Sequence, residues 1–448
     1  MCGDNVRAVC GQPNCNVNLM IIRGRWHDTA YTLSLKTDSL SVAINVDMKQ
    51  SPSVGGTVIV HDRAGRFYSL YQDSHHYRRS LNGQVLGKWQ GANGRQRRWL
   101  EHTEADHLID TAAAELRTLL DALPAPDWQW LTPPDHPTQL RDVLTAIERG
   151  ARFESAAARL DAARFADVYS PIGILPPDQY LALVLQATEG CSFNTCTFCD
   201  LYHQALRVKT PDEFRQHIRQ VREYLGDSIL LRQRSIFLGA SNALAIPMAR
   251  LVPMWESMRE EIEPSPQTRS LEGRGSARQH AGEGQPCVYA FLDAFTGTRK
   301  SVEDYRVLAN LGLKRVYIGL ESGHDPLLRF VKKPGQAQDA IETVHAIKSA
   351  GINVGVIVLI GLGGDRFVND HPRDTVAVLN EMALNTGDLI YFSDLVEEAG
   401  TPYPLIAAQH DIRAFTADER AAQRAAIRAG VNLNGAKISN YDVREFVY

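Results

Sequence analysis

Residues 181–202 read LALVLQATEGCSFNTCTFCDLY. The apolar run over 181–187 is short, uncharged and followed by Gly190, the pattern of a buried strand entering a loop. The loop carries Cys191, Cys196 and Cys199 within nine residues. In a reducing compartment, thiols so closely spaced read as metal ligands rather than as bridges. Thiolates suit iron–sulfur clusters and zinc alike. Three of them leave one iron of a four-iron cluster without a protein ligand, open to a substrate's amino and carboxylate groups. Structural zinc needs a fourth ligand and normally a second ligand pair. His203 is the nearby candidate for that fourth ligand. A non-catalytic zinc-binding or iron–sulfur electron-transfer module is therefore the alternative, although no second Cys/His pair lies at zinc spacing. The plainer reading of His203 is a loop histidine.

From residue 181 onward, strand-like runs alternate with helical ones. Candidate strands lie at 181–187, 235–238, 287–292, 315–320, 354–360 and 388–393, and helical stretches at 211–224, 246–261, 302–309, 338–350 and 372–385. Such alternation implies a parallel sheet with helical crossovers. About six units in roughly 220 residues suit a partial barrel rather than a complete eight-unit one. The low-apolar stretch 264–286 reads as a surface excursion. Before residue 181 the pattern differs. Short β-type runs occupy 19–22, 31–35, 40–46 and 58–60, a helix is expected over 107–123, a Pro-rich stretch spans 124–137 and a second helical segment spans 138–165. The expected fold class is α/β, a partial (β/α)6 TIM-like barrel with a β-rich N-terminal domain and helical connector. The expected divisions are a β-rich domain with its closing helix at 1–123, a linker and connector at 124–175, the barrel at 176–430 and an extension at 431–448.

Composition narrows the class further. The formal net charge of −4 provides no global basic field, so nothing evident directs the chain to nucleic acid or acidic membrane. No run of about 18 apolar residues appears, and the opening MCGDNVRAVCGQPNC has no apolar signal core, so a cytoplasmic location is expected. Cys2, Cys10 and Cys15 are a candidate second metal site, but their spacing is loose and the plainer reading is a flexible tail. Met1-Cys2-Gly3 also opens amidotransferases with an N-terminal nucleophile, a match of only three residues. His61, His75 and His76 read as ligands or surface histidines; the adjacent pair His75 and His76 would point to opposite faces if on a strand, which favours the surface.

Strand–helix barrels place chemistry at the C-terminal ends of their strands. SIFLGASNAL at 235–244 ends a strand at Gly239, with Ser241 and Asn242 beyond it. Asp293 ends VYAFLD, and Glu321, Ser322 and Gly323 end RVYIGLESG. A carboxylate at a strand end more often serves function than packing, because a buried one must be paired. IVLIGLGG at 357–364 reads as a core strand with a glycine turn, and Lys332 and Lys333 as a solvated helix end. The C-terminal KISNYDVREFVY reads as a segment that closes the open side or docks near the site.

GCSFNTCTFCDLY, with Phe198 before the last cysteine, resembles the radical S-adenosylmethionine (SAM) superfamily, nearest to the oxygen-independent coproporphyrinogen oxidases and the Elongator catalytic subunit. The resemblance covers about residues 176–430. Four residues separate Cys191 from Cys196, where the common family spacing has three. The resemblance implies that Cys191, Cys196 and Cys199 hold a [4Fe–4S] cluster. It further implies reductive cleavage of SAM to a 5′-deoxyadenosyl radical, which abstracts hydrogen from a small-molecule substrate, with reduced flavodoxin or ferredoxin as electron donor. It assigns cofactor contacts to Phe198, Gly239, Ser241, Asn242, Asp293, Glu321, Ser322 and Ile360. Here Ser241 or Asn242 stands in for the family's acidic residue toward the methionine amino group, Glu321 or Ser322 meets the methionine or ribose part, and Ile360 packs on the adenine. No Asp-x-His-x-x-Gly pattern signals a cobalamin domain.

Overall fold

The structure, a computed structural model, describes residues 19–36, 42–48, 56–92, 94–202, 204–232, 235–239, 241–262, 287–297, 299–397 and 400–448. Cys2, Cys10, Cys15, His203 and the excursion at 264–286 lie outside the described residues. The chain divides into two units. One comprises the residues up to Phe165 with Leu225–Leu231 and Val447, and the other holds the remainder.

The first unit is built on nine strands: β1 (Leu19–Trp26), β2 (Thr29–Lys36), β3 (Val42–Met48), β4 (Thr57–His61), β5 (Phe67–Gln72), β6 (His75–Arg79), β7 (Val85–Gly91), β8 (Gly94–Trp99) and β9 (Gln129–Thr132). The first eight form an antiparallel meander in sequence order, and β9 returns to pair with β1. Alternation sets the buried face: Tyr31, Leu33 and Leu35 point inward while Thr32 and Ser34 do not. Ile109, Leu116 and Leu119 of the helix His102–Ala122, with Val143 and Ile147 of Pro137–Ala151, complete that core against Ile22, Leu33, Ile59 and Leu70. The Pro-rich stretch contributes β9 to this unit, and Gly24 passes under Trp128, whose ring would lie 1.9 Å from any Cβ there. β6 to β8 escape the sequence reading because HHYRR and GRQRRW lack the apolar alternation that marked the earlier strands. His61, read as a ligand or a surface histidine, is buried, against Phe67 and beneath Gly150.

The second unit begins with β10 (Leu183–Gln186). It continues with the short antiparallel pair β11 (Thr188–Glu189) and β12 (Arg207–Val208), then β13 (Ile236–Gly239), β14 (Val288–Leu292), β15 (Leu313–Glu321), β16 (Asn353–Ile360), β17 (Leu389–Asp394) and β18 (Lys437–Tyr441). β10 and β13 to β18 form one seven-stranded sheet, every neighbour parallel and in sequence order. The crossover helices include Met248–Glu261, Val302–Asn310, Ala337–Ser349, Asp370–Glu381 and Ala417–Gly430. The sheet has seven strands where six were expected, because KISNY in the C-terminal segment pairs with β17 as a further strand. Its apolar pattern is short, which is why it read as an extension.

One face of the sheet is a register-matched array: Phe291 opposite Tyr317, Tyr317 opposite Gly355, Ile357 opposite Tyr391, and Ser393 opposite Tyr441. Gly355 is required there, since a Cβ would stand 2.5 Å from the Tyr317 ring. At the N-terminal strand ends Asp178 gathers the hydroxyls of Tyr317 (2.6 Å) and Tyr391 (2.7 Å) and the Arg315 guanidinium (2.8 Å). This bottom closure leaves the C-terminal ends for the site.

Three buried histidines make stability depend on pH. Burial holds His61 at about 3, His217 at about 3 and His371 at about 4. The unfolded chain titrates near 6.5, so it binds more protons than the native state below that value. Stability is complete above pH 6.5 and is lost as pH falls toward the native values, by roughly 2 kcal/mol per histidine at pH 5. Urea unfolding near pH 7.5 and near pH 5 should show this decline, and a flat profile contradicts it.

Candidate functional site

The cysteine loop is held by backbone geometry before any metal is considered. Gly190 turns the chain at φ 74°, and a Cβ there would meet the carbonyl oxygens of Gln204 and Ala205 at 2.4 Å. Cys191 N–H donates to the Gln204 carbonyl (3.1 Å), and Ser241 Oγ donates to the Gly190 carbonyl (2.7 Å). Thr197 N–H donates to the Val331 carbonyl (3.0 Å), and Thr195 Oγ1 to that of Lys332 (3.1 Å). The loop is thus pinned on one side to the turn after β13 and on the other to the end of the helix Asp325–Phe330. Gly190→Ala is expected to cost about 1–3 kcal/mol from the backbone conformation alone, and more from the two carbonyls. A urea midpoint equal to the parent's contradicts that.

Cys191, Cys196 and Cys199 all line one cavity of about 330 Å³, within the range of small-molecule sites. Cys191 and Cys196 are half-buried and Cys199 is exposed. Burial first, then Glu321 and the other two cysteines, push the Cys196 thiol up to about 11, against the opposing pull of Lys333. A metal would therefore have to displace protons from these thiols. Among the described residues, no three His, Cys, Asp or Glu side chains are arranged to hold a single metal ion.

Phe198, Ser241, Asn242, Asp293 and Glu321 line the same cavity. Asn242 Nδ2 donates to Ser192 Oγ (2.8 Å) and to Asp293 Oδ2, while Asp293 N–H donates to Asn242 Oδ1 (3.3 Å). Glu321 is strained: it ends β15 at φ 60°, just past an irregularity in the pairing with β16. Its carboxylate meets Lys333 Nζ at 3.4 Å.

Gly239, Ser322 and Ile360 stand outside the cavity lining. Ile360 is fully buried, and its neighbours Ile357 and Leu359 face the cavity instead, by the alternation of β16. Ser322 is spent on structure. Its Oγ lies 2.8 Å from His371 Nδ1 and accepts from His324 N–H at 3.0 Å, while His371 Nε2 lies 3.1 Å from the Leu359 carbonyl.

Lys333 was read as a solvated helix end, and the structure corrects this. Its N–H donates to the Leu328 carbonyl (2.9 Å), so the chain folds back and the side chain enters the cavity wall. Burial opposes its charge, but Glu321, Cys196 and Asp293 raise its pKa on balance. The sequence reading also missed Ser192, Tyr202 and Asp394, all in the lining. Asp394 lies one residue past the expected strand end, a position that the strand-end rule could have caught; Arg420 meets it at 3.3 Å and Arg424 closer still.

Residues 289–377 match the family described as Radical SAM superfamily. The matched segment runs from β14 into the helix Asp370–Glu381 and includes Asp293, Glu321 and Lys333, but it does not reach the cysteines. No curated protein sequence matches the chain. Several solved structures are similar. The cobalamin-dependent S-adenosylmethionine radical enzyme OxsB is 14% identical, covering 56% of this chain and 32% of its own, with a TM-score of 0.35. Coproporphyrinogen III oxidase from Escherichia coli is 13% identical over 59% of this chain and 53% of its own, at TM-score 0.38. HydG, a maturase of the [FeFe]-hydrogenase, is 14% identical over 76% of this chain and 63% of its own, at 0.36. The chain thus spans 32% of the length of OxsB. The segment 289–377, which holds Asp293, Glu321 and Lys333, is thus similar to the radical SAM superfamily, a family that uses a [4Fe–4S] cluster and S-adenosylmethionine.

Proposed function

We propose that Cys191, Cys196 and Cys199 hold the [4Fe–4S] cluster and that the adjoining cavity binds SAM and a small-molecule substrate, from which a hydrogen atom is abstracted. The observation that carries this reading is the opening of all three cysteines on one cavity at the C-terminal ends of parallel strands. The donor set fits the group. A four-iron cluster takes each thiolate on a different iron, so its ligands need not converge on one point as zinc ligands must, and among the described residues they form no single-ion site. Sequential, wholly parallel strands with helical crossovers support a partial (β/α)6-type barrel extended by β18.

When bound, the cluster and cofactor supply one-electron cleavage of a C–S bond and radical chemistry. The chain's own part is to bind and orient. Glu321 and Asp293 offer acceptors to an ammonium group, with Lys333 holding Glu321 in place. Phe198, Phe291, Ile357 and Leu359 give the apolar wall that a purine needs and that excludes water. Ser241 and Asn242 act by positioning, since their polar atoms tie the cysteine loop to the turn after β13. The reading carries with it a reduced flavodoxin or ferredoxin as electron donor and a cytoplasmic setting that keeps the thiols reduced. Among the described residues, no helix is long and apolar enough to cross a membrane. The test is anaerobic incubation of the reconstituted enzyme with SAM and a reductant. Release of 5′-deoxyadenosine is expected, and none with iron fully loaded contradicts the reading.

A further inference from the structure

Tyr403 opens the short helix Tyr403–Gln409 and is 2% exposed, yet it does not line the cavity. It takes main-chain groups from two different strand-end loops. Its N–H donates to the Thr197 carbonyl (2.9 Å), between Cys196 and Phe198. Its Oη accepts from the Gly363 N–H (2.9 Å), in the glycine turn that follows β16. The same stretch passes the cysteine loop once more, where a Cβ on Gly400 would stand 3.6 Å from Asp200 Oδ2. Thr197 is gripped from its other side too, its N–H and Oγ1 reaching the Val331 carbonyl at 3.0 and 3.3 Å. The Gly363 N–H is buried, so removing the phenol oxygen would take away its partner there.

Packing joins the same two loops. Tyr403 belongs to one apolar cluster with Leu327, Leu359 and Phe367, against which Phe198 and Leu395 pack. Phe198, Leu359 and Leu395 all line the cavity, and they come from the cysteine loop, β16 and the segment after β17. A wall assembled from three elements keeps one shape only if something outside it holds the elements together.

We infer that Tyr403 is a positioning residue that sets the purine-binding wall, by locking the cysteine loop to the turn after β16. The inference rests on the SAM-binding reading above. The aromatic body fills the cluster and the phenol oxygen satisfies the turn, a pair of tasks that phenylalanine would only half perform. The lock engages the loop through main-chain groups and leaves the cysteine side chains untouched. Its loss is therefore expected to weaken the hold on the purine end of the cofactor and to spare the cysteines' own ligation.

The test is equilibrium binding of SAM and of 5′-methylthioadenosine, which keeps the purine and ribose but lacks the amino acid, to the reconstituted protein. Tyr403→Phe is expected to weaken both by roughly three- to tenfold, the range of one hydrogen bond, with iron content unchanged. Ile412→Val, in the same cluster but outside the cavity, should lower the thermal midpoint without moving either affinity. In the parent protein, where no variant has to fold, SAM should slow hydrogen exchange at 403–407 as well as at 195–199. Equal affinities in the parent and Tyr403→Phe, a loss for SAM but not for 5′-methylthioadenosine, an equal loss in Ile412→Val, or unchanged exchange at 403–407 would each overturn the inference alone. A parent protein that binds no SAM would instead overturn the reading beneath it, and this inference with it.

Discussion

Cys196→Ala is expected to lose iron and all cofactor cleavage together while the N-terminal unit stays folded. The thiol sits between Cys191 and Cys199 in sequence, lines the same cavity and is half-buried. Among the described residues lining that cavity there is no fourth cysteine to replace it. The loop's backbone anchors, by contrast, belong to Gly190, Cys191, Thr195 and Thr197, not to the Cys196 side chain. The variant should therefore keep its fold, and its far-UV circular dichroism should match the parent's. Anaerobic reconstitution should leave it colourless, with no 5′-deoxyadenosine above background. Formation of 5′-deoxyadenosine at the parent's rate would show that Cys196 is not a cluster ligand.

Glu321→Gln is expected to weaken SAM binding roughly ten- to a hundredfold while leaving iron content unchanged, the range of one lost hydrogen bond to a charged group, about 1.5–3 kcal/mol. The carboxylate is held at the end of β15 in a left-handed conformation that a non-glycine residue adopts only at a cost, and strain of this kind clusters at functional sites. Gln keeps the side chain's shape but loses the charge that pairs with Lys333. Equilibrium binding of SAM to the reconstituted variant, beside its iron content, separates the two effects. Unchanged affinity would move the ammonium-binding role to Asp293. Loss of iron along with affinity would make Glu321 a structural support of the cysteine loop instead.

The parallel sheet was legible because its strands are continuous apolar runs bounded by glycine and separated by helical periods; β14 to β17 fall within a few residues of where the runs place them. The antiparallel unit was half legible. Leu33 and Ile59 mark their strands by apolar alternation, whereas β6 and β8 carry charge on both faces and are held by pairing with their neighbours, which no local pattern records. At the site, strand-end logic named Asp293 and Glu321, which line the cavity, and Ile360, which does not; on β16 it is Ile357 and Leu359 that face the cavity. Lys333 eluded it for a different reason. The turn at Lys332, φ 54°, reverses the chain, and only the fold-back shows that the neighbouring ammonium lies under a carboxylate. Ser322 looked functional in sequence because a strand-end serine gives no hint of the buried His371 that engages it.

The metal content of the anaerobically reconstituted protein tests the central claim most directly. A chain whose three cysteines hold a cubane should be brown and carry about four irons, with an electron paramagnetic resonance signal of the reduced cluster that changes when SAM is added. A colourless protein with one tightly held zinc per chain, indifferent to SAM, would contradict it.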